Sequence, residues 1–215
     1  MSTMQAVVFD LDGVITDTAH YHFLAWKRLA DSLGIPFDEH FNERLKGVDR
    51  MGSLELILAR SDASFGVEQK EALAAQKNVY YQQFIATMSP DDLLPGALWA
   101  LEQVREAGLK SALASVSKNA FAVLDRLNIR DRFDYVVDAN AIIRGKPDPE
   151  IFLVAAQHLR VPPSRCIGVE DAVAGIQAIK AAGMYAVGVG DPAVLTQADH
   201  VISGLYAFHL AEYTA

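Results

Sequence analysis

Ala6-Val7-Val8-Phe9-Asp10-Leu11-Asp12-Gly13 is the stretch on which the reading of the whole chain turns. An apolar run with β-branched residues at its centre stops abruptly at an acid. So short and uninterrupted a run predicts a strand buried on both faces, and Gly13 behind it predicts a tight turn. Similar runs recur at 110–114, 135–137, 166–169, 186–189 and 200–202. Helical patterns fill 97–107, 119–127, 148–159 and 172–182 between them, with Gly108 and Gly183 placed where a helix end takes a left-handed residue. Strand alternating with helix predicts an α/β fold built on a doubly wound parallel sheet.

Residues 18–88 break that rhythm. Phe23, Trp26, Leu29, Ala30 and Leu33 fall at helical spacing before Gly34, and Leu54, Ile57 and Leu58 form a second stripe. A third helical segment is expected over 68–87. A helical block of roughly 70 residues is too long for a simple crossover and predicts an inserted all-helical cap domain. The expected division is 1–16 with 89–215 for the core and 17–88 for the cap. Thr16-Asp17-Thr18 and Ser89-Pro90-Asp91-Asp92 are the expected hinges. Residues 193–215 carry little signal beyond one short strand.

With 215 residues, 51% hydrophobic and 21% charged, the chain can bury a sizeable core and is neither disordered nor membrane-spanning in composition. Lys and Arg number 19 against 27 Asp and Glu, a net charge of −8, which argues against nucleic acid or an anionic membrane as partner. A phosphorylated small molecule is still permitted, since a few local cations can hold one. Cys166 is the only cysteine, so neither an intrachain disulfide nor a multi-cysteine metal cage is available; it reads as a small buried residue. No basic run precedes the first apolar stretch and no run of about 20 apolar residues occurs, so a soluble cytoplasmic protein is expected.

Asp10 and Asp12 stand past the carboxyl end of the first strand, where open parallel sheets bind their ligands. A lone Asp-x-Asp is as readily a helix cap or a solvated turn. A second acidic pair, Glu170-Asp171, directly follows the strand at 166–169, and two such pairs at equivalent strand ends call for a cation. An all-oxygen donor set suits Mg²⁺. Ser115 ends the second core strand, and Ser117-Lys118-Asn119 opens the next helix, where free N–H groups and the helix dipole favour an anion. Lys146 lies in Gly145-Lys146-Pro147-Asp148-Pro149, a loop that its prolines stiffen. Alone it would be a surface lysine; at one more strand end facing the same crevice it reads as a phosphate counter-charge.

The stretch Phe9-Asp10-Leu11-Asp12-Gly13-Val14-Ile15-Thr16-Asp17, with Ser115, Lys146 and Gly168-Val169-Glu170-Asp171, resembles the four motifs of the haloacid dehalogenase superfamily. Thr18-Ala19-His20-Tyr21-His22-Phe23-Leu24-Ala25-Trp26-Lys27, Leu45-Lys46-Gly47-Val48-Asp49-Arg50, Lys77-Asn78 and Ala114-Ser115-Val116-Ser117-Lys118-Asn119 resemble motifs of its hexose-phosphate mutases. Asp49 before Arg50, and Met51-Gly52 after it, depart from that pattern. The resemblance implies a Rossmann-like core with a helical cap and Mg²⁺ as cofactor. It implies a phosphomutase that interconverts β-D-glucose 1-phosphate and D-glucose 6-phosphate through an aspartyl phosphate and a bisphosphate intermediate. Sugar phosphates are the implied partners, and a monomer is the expected state.

Residue by residue, the resemblance makes Asp10 the nucleophile and the Asp12 side chain the general acid and base. Ser115 and Lys146 would hold the transferring phosphoryl group. Asp10, the Asp12 carbonyl, Glu170 and Asp171 would bind Mg²⁺. Arg50 would take the non-reacting phosphate bidentately. Thr18, His22, Trp26, Gly47, Val48 and Lys77 would contact or orient the sugar, and Ser117, Lys118 and Asn119 would take the distal phosphate from the core side. The blander readings are cap packing for His22 and Trp26 and a solvated helix face for Lys77. A sugar-phosphate phosphatase on the same scaffold is the alternative function. A degenerate binding module is opposed by the intact acids and Lys146. A phosphonate hydrolase with a Schiff-base lysine is opposed by the polar surroundings of Lys77 in sequence. Gly188-Val189-Gly190 opens no clear helix and is not a dinucleotide loop.

Overall fold

The computed structural model describes residues 4–45 and 48–214. The chain divides into two units, residues 1–17 with 89–215 and residues 18–88. The first is built on a six-stranded, all-parallel sheet: β1 (Ala6–Phe9), β2 (Lys110–Leu113), β3 (Tyr135–Val136), β4 (Cys166–Glu170), β5 (Tyr185–Val189) and β6 (His200–Ile202), in the order β3-β2-β1-β4-β5-β6. This is the doubly wound order, and its switch point lies between β1 and β4. Register is set by β1, where Phe9 is level with Leu113 on one side and Val169 on the other. Pairing runs one residue further, since the Asp10 N–H donates to the Val169 carbonyl at 2.9 Å and the Ala114 N–H to that of Phe9 at 2.8 Å. Asp10, Ala114 and Glu170 therefore stand in one row at the carboxyl edge.

Residues 18–88 form a helical unit with its own apolar centre. Its helices are α1 (Ala19–Ser32), α2 (Glu39–Asn42), α3 (Arg50–Leu58) and α4 (Val67–Ile85). The expected stripes are the buried ones: Trp26, Leu29 and Ala30 of α1 pack with Leu54, Ile57 and Leu58 of α3. Gly34, at φ +67°, follows α1 in the conformation that stops it. Asp49 caps α3, its Oδ1 accepting from the N–H groups of Met51 and Gly52 at 2.8 and 3.0 Å. That is the physical role of one residue that departs from the motif.

In the sheet unit α5 (Ala97–Glu106), α6 (Ala120–Arg126), α7 (Glu150–Leu159), α8 (Val173–Ala181) and α9 (Ala211–Thr214) complete the fold. Ile151, Phe152, Ile176 and Ile179 of α7 and α8 pack against Ala6 and Val8. Phe9, on the opposite face, meets Phe133 and Phe208 with ring centroids 6.4 and 6.1 Å away. Phe208 is fully buried, and Gln103 fixes it by donating to its carbonyl at 2.7 Å and accepting from the Leu210 N–H at 3.2 Å. The segment after 193 is thus part of the core. Where the chain leaves and rejoins the sheet unit, Thr16 pairs with Leu93, the Thr16 hydroxyl donates to the Asp92 carbonyl at 2.7 Å, and the Leu94 N–H donates to the Ile15 carbonyl at 2.9 Å.

Candidate active site

The sheet register places Asp10 and Glu170 side by side, and the loop after β3 brings Lys146 to both. Its ammonium donates to Asp10 Oδ1 at 2.5 Å and to Glu170 Oε1 at 2.7 Å, with the lysine side chain 3% exposed. This is the fixed lysine that the two prolines predict. Glu150 fixes the same loop, its carboxylate accepting from the N–H groups of Ile143 and Arg144 at 2.9 and 3.0 Å. Oxygens of Asp10, Glu170 and Asp171 lie within 4.8 Å of one another. Glu170 is already engaged on both sides, since Oε2 accepts from the Ala172 N–H at 2.8 Å. Glu170 thus holds Lys146 while remaining part of the carboxylate group that could take an ion.

Two glycines clear the space for these acids. A Cβ on Gly13, at φ +74°, would lie 2.1 Å from Asp171 Oδ2, and one on Gly175 would lie 1.9 Å from Glu170 Oε1. Gly13 is legible in the sequence as a turn residue. Gly175 is not, because a mid-helix glycine signals only a close approach of unknown origin.

Burial dominates the electrostatics. It pushes the Asp10 carboxyl up to about 7 against the opposing pull of Lys146, with the charges of Glu170 and Asp12 adding to the rise. Burial, then the charges of Glu170 and Asp10, push Asp171 up to about 9. Burial works against the Lys146 ammonium, but Asp10 and Glu170 outweigh it and hold its pKa above the usual value. One lysine therefore does not neutralise the cluster, and its oxygens could hold a metal ion.

Ser115 is buried beside this row, and its hydroxyl accepts from the Ser117 N–H at 3.1 Å. The Ser117 hydroxyl accepts from the Asn119 N–H at 3.3 Å. The helix opens at Ala120, one residue later than expected, and these two N–H groups serve serine hydroxyls. Asn119 is buried, while Ser117 is half-buried and Lys118 exposed.

The helical unit holds a second cluster. The Lys77 ammonium and His22 Nδ1 are 2.8 Å apart, and the ammonium lies 4.5 and 4.9 Å from the ring centroids of Trp26 and Tyr81. Lys77 is 3% exposed, so the solvated-face reading is wrong, and the polar-surroundings argument against a desolvated lysine falls with it. Burial, then the charges of Lys77 and Arg50, hold His22 well below the usual histidine pKa. Its Nδ1 therefore accepts from Lys77, and that contact assigns the ring proton to Nε2. Arg50 Nη2 donates to Asn78 Oδ1 at 2.9 Å. Trp26 is a core residue that supports Lys77 with its ring face. Thr18 is fully buried and Val48 partly exposed, while Gly47 lies outside the described residues. Sequence reading gave Asn78 and Tyr81 no role of their own.

Residues 4–183 match the family model described as haloacid dehalogenase-like hydrolase. The chain is 51% identical over 201 residues to a β-phosphoglucomutase of Bacillus subtilis, covering 93% of this chain and 89% of the relative. It is 33% identical over 184 residues to a phosphorylated carbohydrates phosphatase of Thermotoga maritima, covering 84% and 82%. Among solved structures, a β-phosphoglucomutase of Clostridium difficile superposes with a TM-score of 0.94 at 45% identity, over 98% of this chain and 95% of that one.

Proposed function

We propose a phosphomutase reaction for this chain, which belongs to the haloacid dehalogenase-like hydrolase family. It interconverts β-D-glucose 1-phosphate and D-glucose 6-phosphate through an aspartyl phosphate on Asp10 and a β-glucose 1,6-bisphosphate intermediate. The observation that supports this reading is that both units hold sequestered cations that phosphate oxygens can use, Lys146 beside Asp10 in one and Lys77 with half-buried Arg50 in the other. A monophosphate offers such cations one phosphate; a bisphosphate intermediate offers two. The 51% identity to a β-phosphoglucomutase supports the same choice.

The donor set fits Mg²⁺: hard oxygens of Asp10 and Asp171, with charge left over after Lys146 is counted. We assign the ion to these carboxylates, the Asp12 backbone carbonyl and Glu170. When bound, it screens the repulsion between a carboxylate and a phosphoryl group.

In the first half-reaction the Asp12 side chain takes the proton of the sugar 6-hydroxyl. That oxygen bonds to phosphorus as the bond to Asp10 breaks, giving the bisphosphate. In the second half Asp10 attacks the 1-phosphate, the bond from phosphorus to the C1 oxygen breaks, and Asp12 returns its proton to that oxygen. Lys146 and Ser115 hold the phosphoryl oxygens throughout, and the Asp10 contact to Lys146 keeps the attacking oxygen in place. Arg50, Lys77 and neutral His22 take the phosphate and hydroxyls that are not reacting, with Thr18, Gly47 and Val48 as further sugar contacts. Ser117, Lys118 and Asn119 serve the distal phosphate through side chains. We further place the protein in the cytoplasm as a monomer with no nucleic-acid or membrane partner, in keeping with its net charge of −8; among the described residues no helix is long and apolar enough to cross a membrane.

The test is incubation with Mg²⁺, β-glucose 1-phosphate and a trace of glucose 1,6-bisphosphate. Formation of glucose 6-phosphate without loss of organic phosphate is expected. Stoichiometric release of inorganic phosphate would establish the phosphatase reading, which the Thermotoga relative's name favours.

A further inference from the structure

Arg50 begins α3 directly behind the capping Asp49, and its one side-chain hydrogen bond among the described residues runs to an amide, Asn78 Oδ1 on α4, at 2.9 Å. On the surface of this unit Lys27 pairs with Asp31 and Lys70 with Glu55, each at 2.8 Å, while exposed Arg28 also meets an amide, Gln83 Oε1, at 3.2 Å. Arg50 is half-buried, and burial works against its charge while Tyr81 opposes that effect. A carboxylate would be the ordinary partner for so placed a guanidinium. An amide oxygen offers the same hydrogen bond with a dipole in place of a full charge. It fixes one edge of the guanidinium and leaves its positive charge and its remaining N–H groups for another anion.

From this we infer that Asn78 is a specificity-determining positioning residue, which orients Arg50 without neutralising it and so keeps the site open to a dianionic phosphate. The inference rests on the reading that Arg50 takes the non-reacting phosphate. It differs from a strut between α3 and α4, which the isosteric acid would serve as well or better. Asp at position 78 would fill the guanidinium fork with its own carboxylate, in competition with phosphate.

The test compares Asn78→Asp with Asn78→Ala. Binding of glucose 1,6-bisphosphate is measured calorimetrically with Mg²⁺ in an Asp10→Asn background, which cannot turn over, and thermal melts report folding. Asn78→Ala is expected to weaken binding about threefold and Asn78→Asp about tenfold or more. In the otherwise unaltered enzyme, Asn78→Asp should raise KM more than it lowers kcat. If Asn78→Asp binds as tightly as Asn78→Ala, or tighter, the residue is a strut and the inference fails. Should Asn78→Asp not fold, the Arg50→Ala background decides, because there the Asn78→Ala effect should vanish, and its persistence would overturn the inference. The mutase reading is judged apart from this, by whether the unaltered enzyme forms glucose 6-phosphate.

Discussion

In the sheet unit the buried charge is carboxylates gathered round one lysine; in the helical unit it is Lys77 and half-buried Arg50 beside a neutral histidine and an amide. The first arrangement is made by backbone register. Parallel pairing puts Asp10 level with Glu170, so the acids converge whatever their side chains prefer. The second is made by helix packing, where residues 55 and 28 positions apart in the chain meet only because α1, α3 and α4 share a core. On the proposed reading the acidic cluster takes the metal ion and the cationic one takes phosphate.

Breaking the acidic plan should have the largest effect. Lys146→Met leaves Asp10 and Glu170 buried without their partner, a loss of about 3–5 kcal/mol in unfolding free energy without metal. Urea denaturation measures this, and Mg²⁺ should restore part of it. On the other side, Arg50→Ala should cost about 2–4 kcal/mol of transition-state stabilisation in mutase flux. Labelling of the enzyme by acetyl phosphate, a donor with a single phosphate, should persist. Wild-type flux in that variant would remove Arg50 from the site.

The contrast also has a pH signature. Asp10 and Asp171 are raised to about 7 and about 9, chiefly by burial, whereas unfolded carboxyls of this kind titrate near about 3.9. The folded chain then holds protons that the unfolded chain has released. Their contribution to stability is full below about pH 4 and is lost as pH rises through about 7 and about 9. The urea midpoint of the metal-free protein should therefore fall between pH 5 and 9, and Mg²⁺ should flatten the slope. His22 works the other way: with its folded pKa below the ordinary value of about 6.5, the unfolded chain takes up a proton that the folded ring does not, so its contribution rises with pH through that region, and an NMR pH series should show the ring titrating below the usual histidine range. The smallest effect belongs to the chain crossing, where Thr16→Val removes the bond to the Asp92 carbonyl at about 1 kcal/mol in unfolding free energy.

The two regions were not equally legible. Short apolar runs ending in acids identify β1 and β4, and parallel pairing then dictates where Asp10, Glu170 and Asp171 meet, so the acidic site follows from sequence almost directly. What register cannot tell is which oxygen serves which partner. The double engagement of Glu170 by Lys146 and Ala172 depends on side-chain geometry. Helical spacing marks the buried stripes of α1 and α3 but misjudges α4, where Gln76-Lys77-Asn78-Val79-Tyr80 looks solvated. Lys77 is buried because Trp26 and His22 of another helix, with Tyr81 one turn on, receive it. Local pattern holds no trace of that. The residues after 193 were opaque for a like reason: Phe208 is fixed by Gln103, on a helix 105 positions away.

The central claim is that Asp10 gives its phosphoryl group to a sugar and not to water. The direct measurement is partitioning of the phospho-enzyme. Protein labelled with radioactive acetyl phosphate in Mg²⁺ is mixed with excess β-glucose 1-phosphate in a rapid-quench apparatus, with Asp10→Asn as the variant that should not label. The account predicts that the label leaves the protein for glucose 1,6-bisphosphate and then glucose 6-phosphate, with little in inorganic phosphate. Label released mainly as inorganic phosphate, at a rate indifferent to the sugar, would contradict it.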